Sequence, residues 1–300
     1  MSRLFNDSLR LFLLALLSCA AVDREAAAQH SDHRIAFAVP DESYRYFAYR
    51  PDAPIVVSGH RGGRAPGIPE NSLEGLEYVL RQMPAIFEID PRLTKDSVIV
   101  LLHDATLDRT TTGSGKLSDY TWDELQSLRL KDHEGRPTDF KIPLLEDVIV
   151  WSRGKTVVNL DRKDVPFQMI VDLIKKHRAE THVMLTVHTG AQARYYSDRL
   201  PGVMLSVFAR NAKEYEDVCI SGVPWHTMIA YVGPTIDASN RAIVDALHEK
   251  GVRCMVSYAP THDRLPTKAE RAAAYREAMK CRPDIVESDL PTEIRDVITP

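Results

Sequence analysis

Cysteine is scarce in this chain: four in 300 residues, at positions 19, 219, 254 and 281. None stands at a spacing to histidine or to another cysteine that would build a zinc site. Beyond Cys19 the number is odd, so at most one disulfide forms and one thiol is left over. An excess of one charge is missing too. The formal net charge is −4 at pH 7, without a long like-charge block, which argues against nucleic acid as a partner. No low-complexity tract and no short-period repeat is present. Long apolar runs are absent except at the start, where LFLLALLSCAAV (11–22) follows Arg3 and Arg10. That run is too short to span a bilayer as a mature helix. It reads as a secretory signal over 1–28, with Ala26-Ala27-Ala28 as a small-residue cleavage site. A second reading stays open: Leu16-Leu17-Ser18-Cys19 approximates a bacterial lipobox, with a signal ending at 18 and a lipidated Cys19 as membrane tether. The first predicts export to the periplasm or medium, the second an envelope lipoprotein. In both, the mature fold begins near His33.

The chain as a whole has the composition of an ordinary soluble globular protein, 27% charged and 44% hydrophobic, long enough to bury one large core. Apolar, β-branched runs recur at 56–60, 86–90, 156–161, 183–187, 204–208, 228–232, 253–257 and 284–289. Amphipathic text separates them. Eight continuous apolar strands alternating with helices predict an α/β fold, a (β/α)8 barrel over 33–300. The spacing breaks once. Residues of about 92–150 hold a strand-like Val98-Ile99-Val100-Leu101-Leu102, a loop and a short helix, and predict an insertion after the second strand. Helix signals accompany the pattern. Asn71 or Ser72 can cap a helix carrying Leu73, Leu76, Leu80 and Met83; Thr121 to Glu124 is a capping box; Gly251 fits a C-terminal cap.

Between Ser58 and Gly115 lie the residues with chemistry. His60-Arg61-Gly62 comes first, then Pro69-Glu70-Asn71-Ser72, Glu88-Ile89-Asp90, His103-Asp104, and Arg109-Thr110-Thr111 with Gly113 and Gly115. In a barrel, active groups sit at the C-terminal ends of strands, where His60, Arg61, Glu88 and Asp90 fall. An i, i+2 spacing puts Glu88 and Asp90 on the same side of a strand. Two facing carboxylates repel unless a cation lies between them, and a divalent ion with oxygen ligands, Mg²⁺ or Ca²⁺, satisfies them. Two imidazoles can move protons near neutral pH, and an arginine can grip phosphate oxygens in a fork. Those are the groups needed to attack a phosphodiester. His133, His177, His182, His226, His248 and His262 read as surface or satisfied core residues, and Cys254 as a small buried one.

These five motifs, in this order and at these separations, resemble the signature of the glycerophosphodiester phosphodiesterase family. The resemblance is strong from Ile55 to about Lys163 and thins out beyond. It implies metal-dependent hydrolysis of a small-molecule glycerophosphodiester to glycerol phosphate and an alcohol. His60 and His103 would be the general acid and base, in either order. Arg61 and Lys163 would hold the phosphate. Glu88, Asp90 and Asp161 would ligate the metal, and Glu70 would touch the ion or substrate hydroxyls. Asn71 would order its loop or cap the helix. Asp104, Arg109, Thr110 and Thr111 would shape the loop of His103. The chain departs from the family at Asp161, where a glutamate is usual, and at the seventh strand, which lacks its tryptophan; Asp289 and Pro291 keep their places. Two other readings keep the barrel: a phospholipase acting on lysolipid or phosphoinositide head groups, and a non-catalytic envelope protein that binds phosphodiesters.

Overall fold

The computed structural model describes residues 33–298, so the predicted signal segment and Cys19 lie outside the described residues. Ten strands occur among them: β1 (Val56–Gly59), β2 (Ile86–Ile89), β3 (Pro91–Leu93), β4 (Ile99–Leu101), β5 (Val158–Leu160), β6 (Val183–Val187), β7 (Met204–Phe208), β8 (Met228–Gly233), β9 (Arg253–Ser257) and β10 (Ile285–Ser288). Eight of them, all but β3 and β4, close a parallel barrel in which β10 returns to pair with β1. This is the predicted (β/α)8 architecture. The helices are α1 (Pro40–Phe47), α2 (Leu73–Leu80), α3 (Trp122–Leu125), α4 (Leu145–Ser152), α5 (Phe167–His177), α6 (Gly190–Arg199), α7 (Ala212–Ser221), α8 (Arg241–Glu249), α9 (Lys268–Met279) and α10 (Pro291–Ile298).

The strands alternate in what they place inside. A lower layer of Val56, Ile86, Val157, Met184, Met204, Ile229, Met255 and Ile285 forms one apolar cluster, with one residue from each barrel strand or its first flank. Ile35 and Phe47 join that cluster from below, so the chain's first described segment and α1 close the N-terminal end of the barrel. Two residues further along, seven of the eight strands place Ser58, Glu88, Asn159, Thr186, Ser206, Ser257 and Glu287 in the interior, and β8 places Tyr231. Period-2 alternation thus builds an apolar floor under a polar mouth. The outward-facing residues pack with the helices into the main core.

Local signals behave as their chemistry predicts. Ser72, not Asn71, caps α2 by accepting from the Gly75 amide at 3.0 Å. Thr121 and Glu124 make both halves of the capping box on α3. After α8, Gly251 at φ +77° lets its amide reach the His248 carbonyl at 2.9 Å and the Val252 amide reach Leu247, also at 2.9 Å. That is the paired closure of a Schellman cap, which needs a left-handed residue. Cys219, Cys254 and Cys281 are all free thiols, Cys254 being buried in β9.

The excursion after β2 runs from the antiparallel β3–β4 pair through α3 to Leu144. It has its own small core of Val100, Leu102, Leu107, Leu117, Leu125, Leu130 and Ile142. It ends sooner than the sequence spacing suggests. Leu145, Val148 and Ile149 of α4 are buried in the main core, so that helix belongs to the barrel.

Candidate active site

The turn after β1 sets up the site. Arg61, Gly62 and Gly63 all have positive φ, at 54°, 84° and 80°. A Cβ on Gly62 would come within 2.9 Å of the Leu76 side chain, so the tight turn requires glycine there. Arg61 carries backbone strain that a non-glycine residue seldom adopts, and its amide donates to Glu88 Oε2 at 2.9 Å. The turn therefore lies directly over the end of β2.

Glu88, Asp90 and Asp161 converge at this point. Each offers an oxygen, and the three lie within 4.8 Å of one another. Asp161, although one methylene shorter than glutamate, reaches the group. Glu88 and Asp90 are almost wholly buried. Burial and the neighbouring charge of Asp90 push Glu88 well above the usual carboxylate range. Asp161 is the opposite case. Burial works against its charge, but the hydrogen bond from His188 and the Lys163 ammonium hold its pKa at about 2. Lys163 Nζ lies 2.8 Å from Asp90 Oδ1 and 2.5 Å from Asp161 Oδ2, offsetting part of the negative charge. Asp90 Oδ1 is nevertheless buried without a hydrogen bond of good geometry. An all-carboxylate donor set with a single ammonium against it fits a hard divalent cation.

Asn71 takes a role the sequence left open. Its side-chain amide donates to Asp90 Oδ2 at 2.6 Å and its oxygen accepts from the Asp90 amide at 3.0 Å. A left-handed backbone at Asn71 (φ 52°) makes this two-point clamp possible.

The two histidines share one arrangement. His60 Nδ1 lies 2.6 Å from Asp289 Oδ1, and its Nε2 faces Glu88 at 3.9 Å. His103 Nδ1 lies 2.9 Å from Asp104 Oδ1. In each, an aspartate orients the ring and leaves Nε2 free. Burial disfavours charge on His60, yet the Asp289 hydrogen bond and the charges of Glu88 and Glu287 push its pKa up to about 10. Both rings line one cavity of about 370 Å³ together with Arg61, Glu88, Asp90 and Asp161.

Glu70 stands apart from the carboxylate trio. Its oxygens accept from Arg61 Nη1 at 3.0 Å and from both terminal nitrogens of Arg109 at 2.8 Å. Arg109 also grips Asp104, at 2.7 and 2.8 Å. These charge-assisted bonds hold Glu70 and Asp104 below the usual carboxylate range, although burial of both opposes it. Glu70 thus ties the β1 turn to the loop of His103 instead of reaching the ion position. The sequence reading gave no role to three residues of the site. Asp289 orients His60, Glu287 is a buried fourth carboxylate beside it, and His188 reaches Asp161 at 3.3 Å. Strand periodicity carried the signal. Glu287 and Asp289 stand i, i+2 on β10 and its flank, as Glu88 and Asp90 do on β2.

Residues 60–258 match the model of the Glycerophosphoryl diester phosphodiesterase family. The chain belongs to that family. Among solved structures, a glycerophosphoryl diester phosphodiesterase from Parabacteroides distasonis is 48% identical with a TM-score of 0.87, over 89% of this chain and 93% of that one. A glycerophosphodiester phosphodiesterase of Bacillus altitudinis is 28% identical over 208 residues, 64% of this chain and 81% of the relative. An Oleispira antarctica phosphodiesterase, solved with the product sn-glycerol-3-phosphate, shares the fold at 19% identity and a TM-score of 0.63, over 86% and 99% of the two chains. In this family member His60, His103, Arg61, Glu88, Asp90 and Asp161 line one cavity.

Proposed function

We propose that this phosphodiesterase hydrolyses glycerophosphodiesters to glycerol phosphate and an alcohol with the help of a bound divalent cation, Mg²⁺ or Ca²⁺. The observation that carries the reading is one cavity lined by the carboxylate trio, Arg61 and two aspartate-oriented histidines. Glu88, Asp90 and Asp161 would hold the cation, which when bound supplies positive charge against the phosphate. Arg61 lines the same cavity, its Nη1 donating to Glu70 and its Nε 3.9 Å from Asp90 Oδ2, and on this reading its guanidinium grips a phosphate oxygen. His60 and His103 divide the proton transfers: one takes a proton from the attacking water, the other gives a proton to the leaving alkoxide. Each transfer typically contributes about 10²–10⁴-fold in rate. Asp289 and Asp104 keep the two Nε2 atoms pointed at the reacting group. Lys163 screens Asp90 and Asp161, and on the same reading its ammonium adds to the charge facing the phosphate. Export, as a soluble protein or through a lipidated Cys19, belongs to the same proposal and rests on the sequence of residues 1–28.

The test is release of glycerol phosphate from glycerophosphoethanolamine by chelator-treated protein, before and after Mg²⁺ or Ca²⁺ is returned. Glu88→Gln is run beside it, with calorimetry of cation binding. Cation-restored turnover in the wild type, with turnover and cation binding both lost in Glu88→Gln, is the expected result. Preference for a lysolipid would keep the site and change the substrate. Turnover indifferent to chelation would remove the metal from the mechanism.

A further inference from the structure

A second cavity, of about 410 Å³, opens on the other side of His60 and Arg61. Its far wall comes from the excursion after β2, through Thr110, Lys131 and residues 132–135. Arg64 and Arg264 form the barrel side, and His60, Arg61 and Arg264 line both cavities. A diester with its phosphate beside these shared residues would direct one arm towards each cavity.

The charges of this second cavity do not cancel. Each of its carboxylates already has a cation. Glu70 is held by Arg61 and Arg109, Asp132 and Glu134 by Arg136, and Asp289 by His60 and Arg64. Lys131 and Arg264 are left over. Lys131 Nζ donates to the Asp108 carbonyl at 3.0 Å and Arg264 Nε to the Ala259 carbonyl at 2.9 Å, and neither pairs with a carboxylate among the described residues. Beside them Thr110 is only 4% exposed, and its Oγ1 finds no hydrogen-bond partner. The Lys131 amide donates to the Thr110 carbonyl at 2.8 Å, which fixes the two residues side by side. Lys131 and Arg264, neither with a carboxylate at ion-pair distance, stand beside a buried hydroxyl without a partner, a lining that favours an anion over a cation.

We propose that this cavity is the leaving-group subsite and that it selects diesters whose alcohol carries a second anion, a carboxylate or a phosphate. The proposal rests on the phosphodiesterase reading above. A trimethylammonium or plain ammonium head group would face Lys131 and Arg264 with like charge. An anionic head group would pair with both and accept from Thr110 Oγ1.

Two substrate pairs test this. Glycerophosphoserine differs from glycerophosphoethanolamine by one carboxylate, and glycerophosphoglycerol phosphate differs from glycerophosphoglycerol by one phosphate. kcat/KM is measured for all four with the wild type, Lys131→Met and Lys131→Gln. The anion-bearing member of at least one pair is expected to be favoured by about tenfold or more, and each variant should raise KM for that member alone. The pair that shows the gain identifies the anion. Wild-type turnover of all four at equal kcat/KM would overturn the subsite and leave the phosphodiesterase reading standing. So would losses in the variants that fall equally on both members of a pair. Failure to turn over any diester would remove the phosphodiesterase reading and this subsite with it.

Discussion

Asp289 acts on the reaction through His60, whose working nitrogen depends on it. Its oxygen sits 2.6 Å from Nδ1, so the ring cannot rotate and Nε2 is the atom presented to the cavity. An asparagine of the same shape would keep the packing and lose the charge. Asp289→Asn is expected to lower kcat about 10²–10⁴-fold with KM close to the wild type, and to shift the pH profile of kcat. Steady-state kinetics across pH check it; a fall in kcat without a shift in the profile would make Asp289 a packing residue only. Asp289 could be seen in the sequence only as a retained position. What it does became legible once the barrel closed, because β10 lies beside β1 with Ser58 opposite Glu287. That register brings His60 next to Asp289 across 229 positions of sequence. Asn71 was hidden for another reason: cap propensity explains an asparagine at a helix start well enough that its bond to Asp90 leaves no separate trace.

At the scale of elements, regular pieces were readable because each strand is buried on both faces and each helix on one, which prints periods of 2 and 3.6 into the chain. The excursion after β2 was readable only as an interruption. Its pieces are joined by isolated bridges such as Thr106 with Lys116 and Thr111 with Leu130, pairings with no periodic signature. Its seven-residue core is separate from the barrel's. His103 hangs from this small unit, fixed by the bond from Arg92 Nε to its carbonyl at 2.8 Å. Leu107→Ala, at a fully buried position of that core, should destabilise the unit by about 2–5 kcal/mol and leave the barrel's own packing intact. Activity should then disappear at a lower urea concentration than the far-ultraviolet circular dichroism of the barrel. Coincident loss of the two signals would show the excursion and barrel unfolding as one body.

Across the whole molecule, acid stability carries a contribution from the floor of the barrel. His182 precedes β6, is 4% exposed, and its Nε2 has no hydrogen-bond partner. Burial, then the nearby charge of Arg153, pulls its pKa down from 6.5 to about 4. Its folded form therefore stays neutral where its unfolded form takes up a proton. Stability should fall as pH drops from 6.5 towards 4, with the full contribution retained above that window. Urea midpoints across the window should decline less steeply in His182→Gln than in the wild type. Parallel declines would assign the acid sensitivity to other groups.

The floor also fixes which way the molecule faces. The Ile35 amide bonds to the Lys155 carbonyl at 3.0 Å, and His33 Nδ1 lies 3.1 Å from the Leu80 carbonyl, both at the end of the barrel opposite the catalytic mouth. His33, the first described residue, lies at that end. A bead or a surface linked to His33 itself would hold the protein by its base, with the mouth turned outward to sample dissolved head groups instead of the surface beneath.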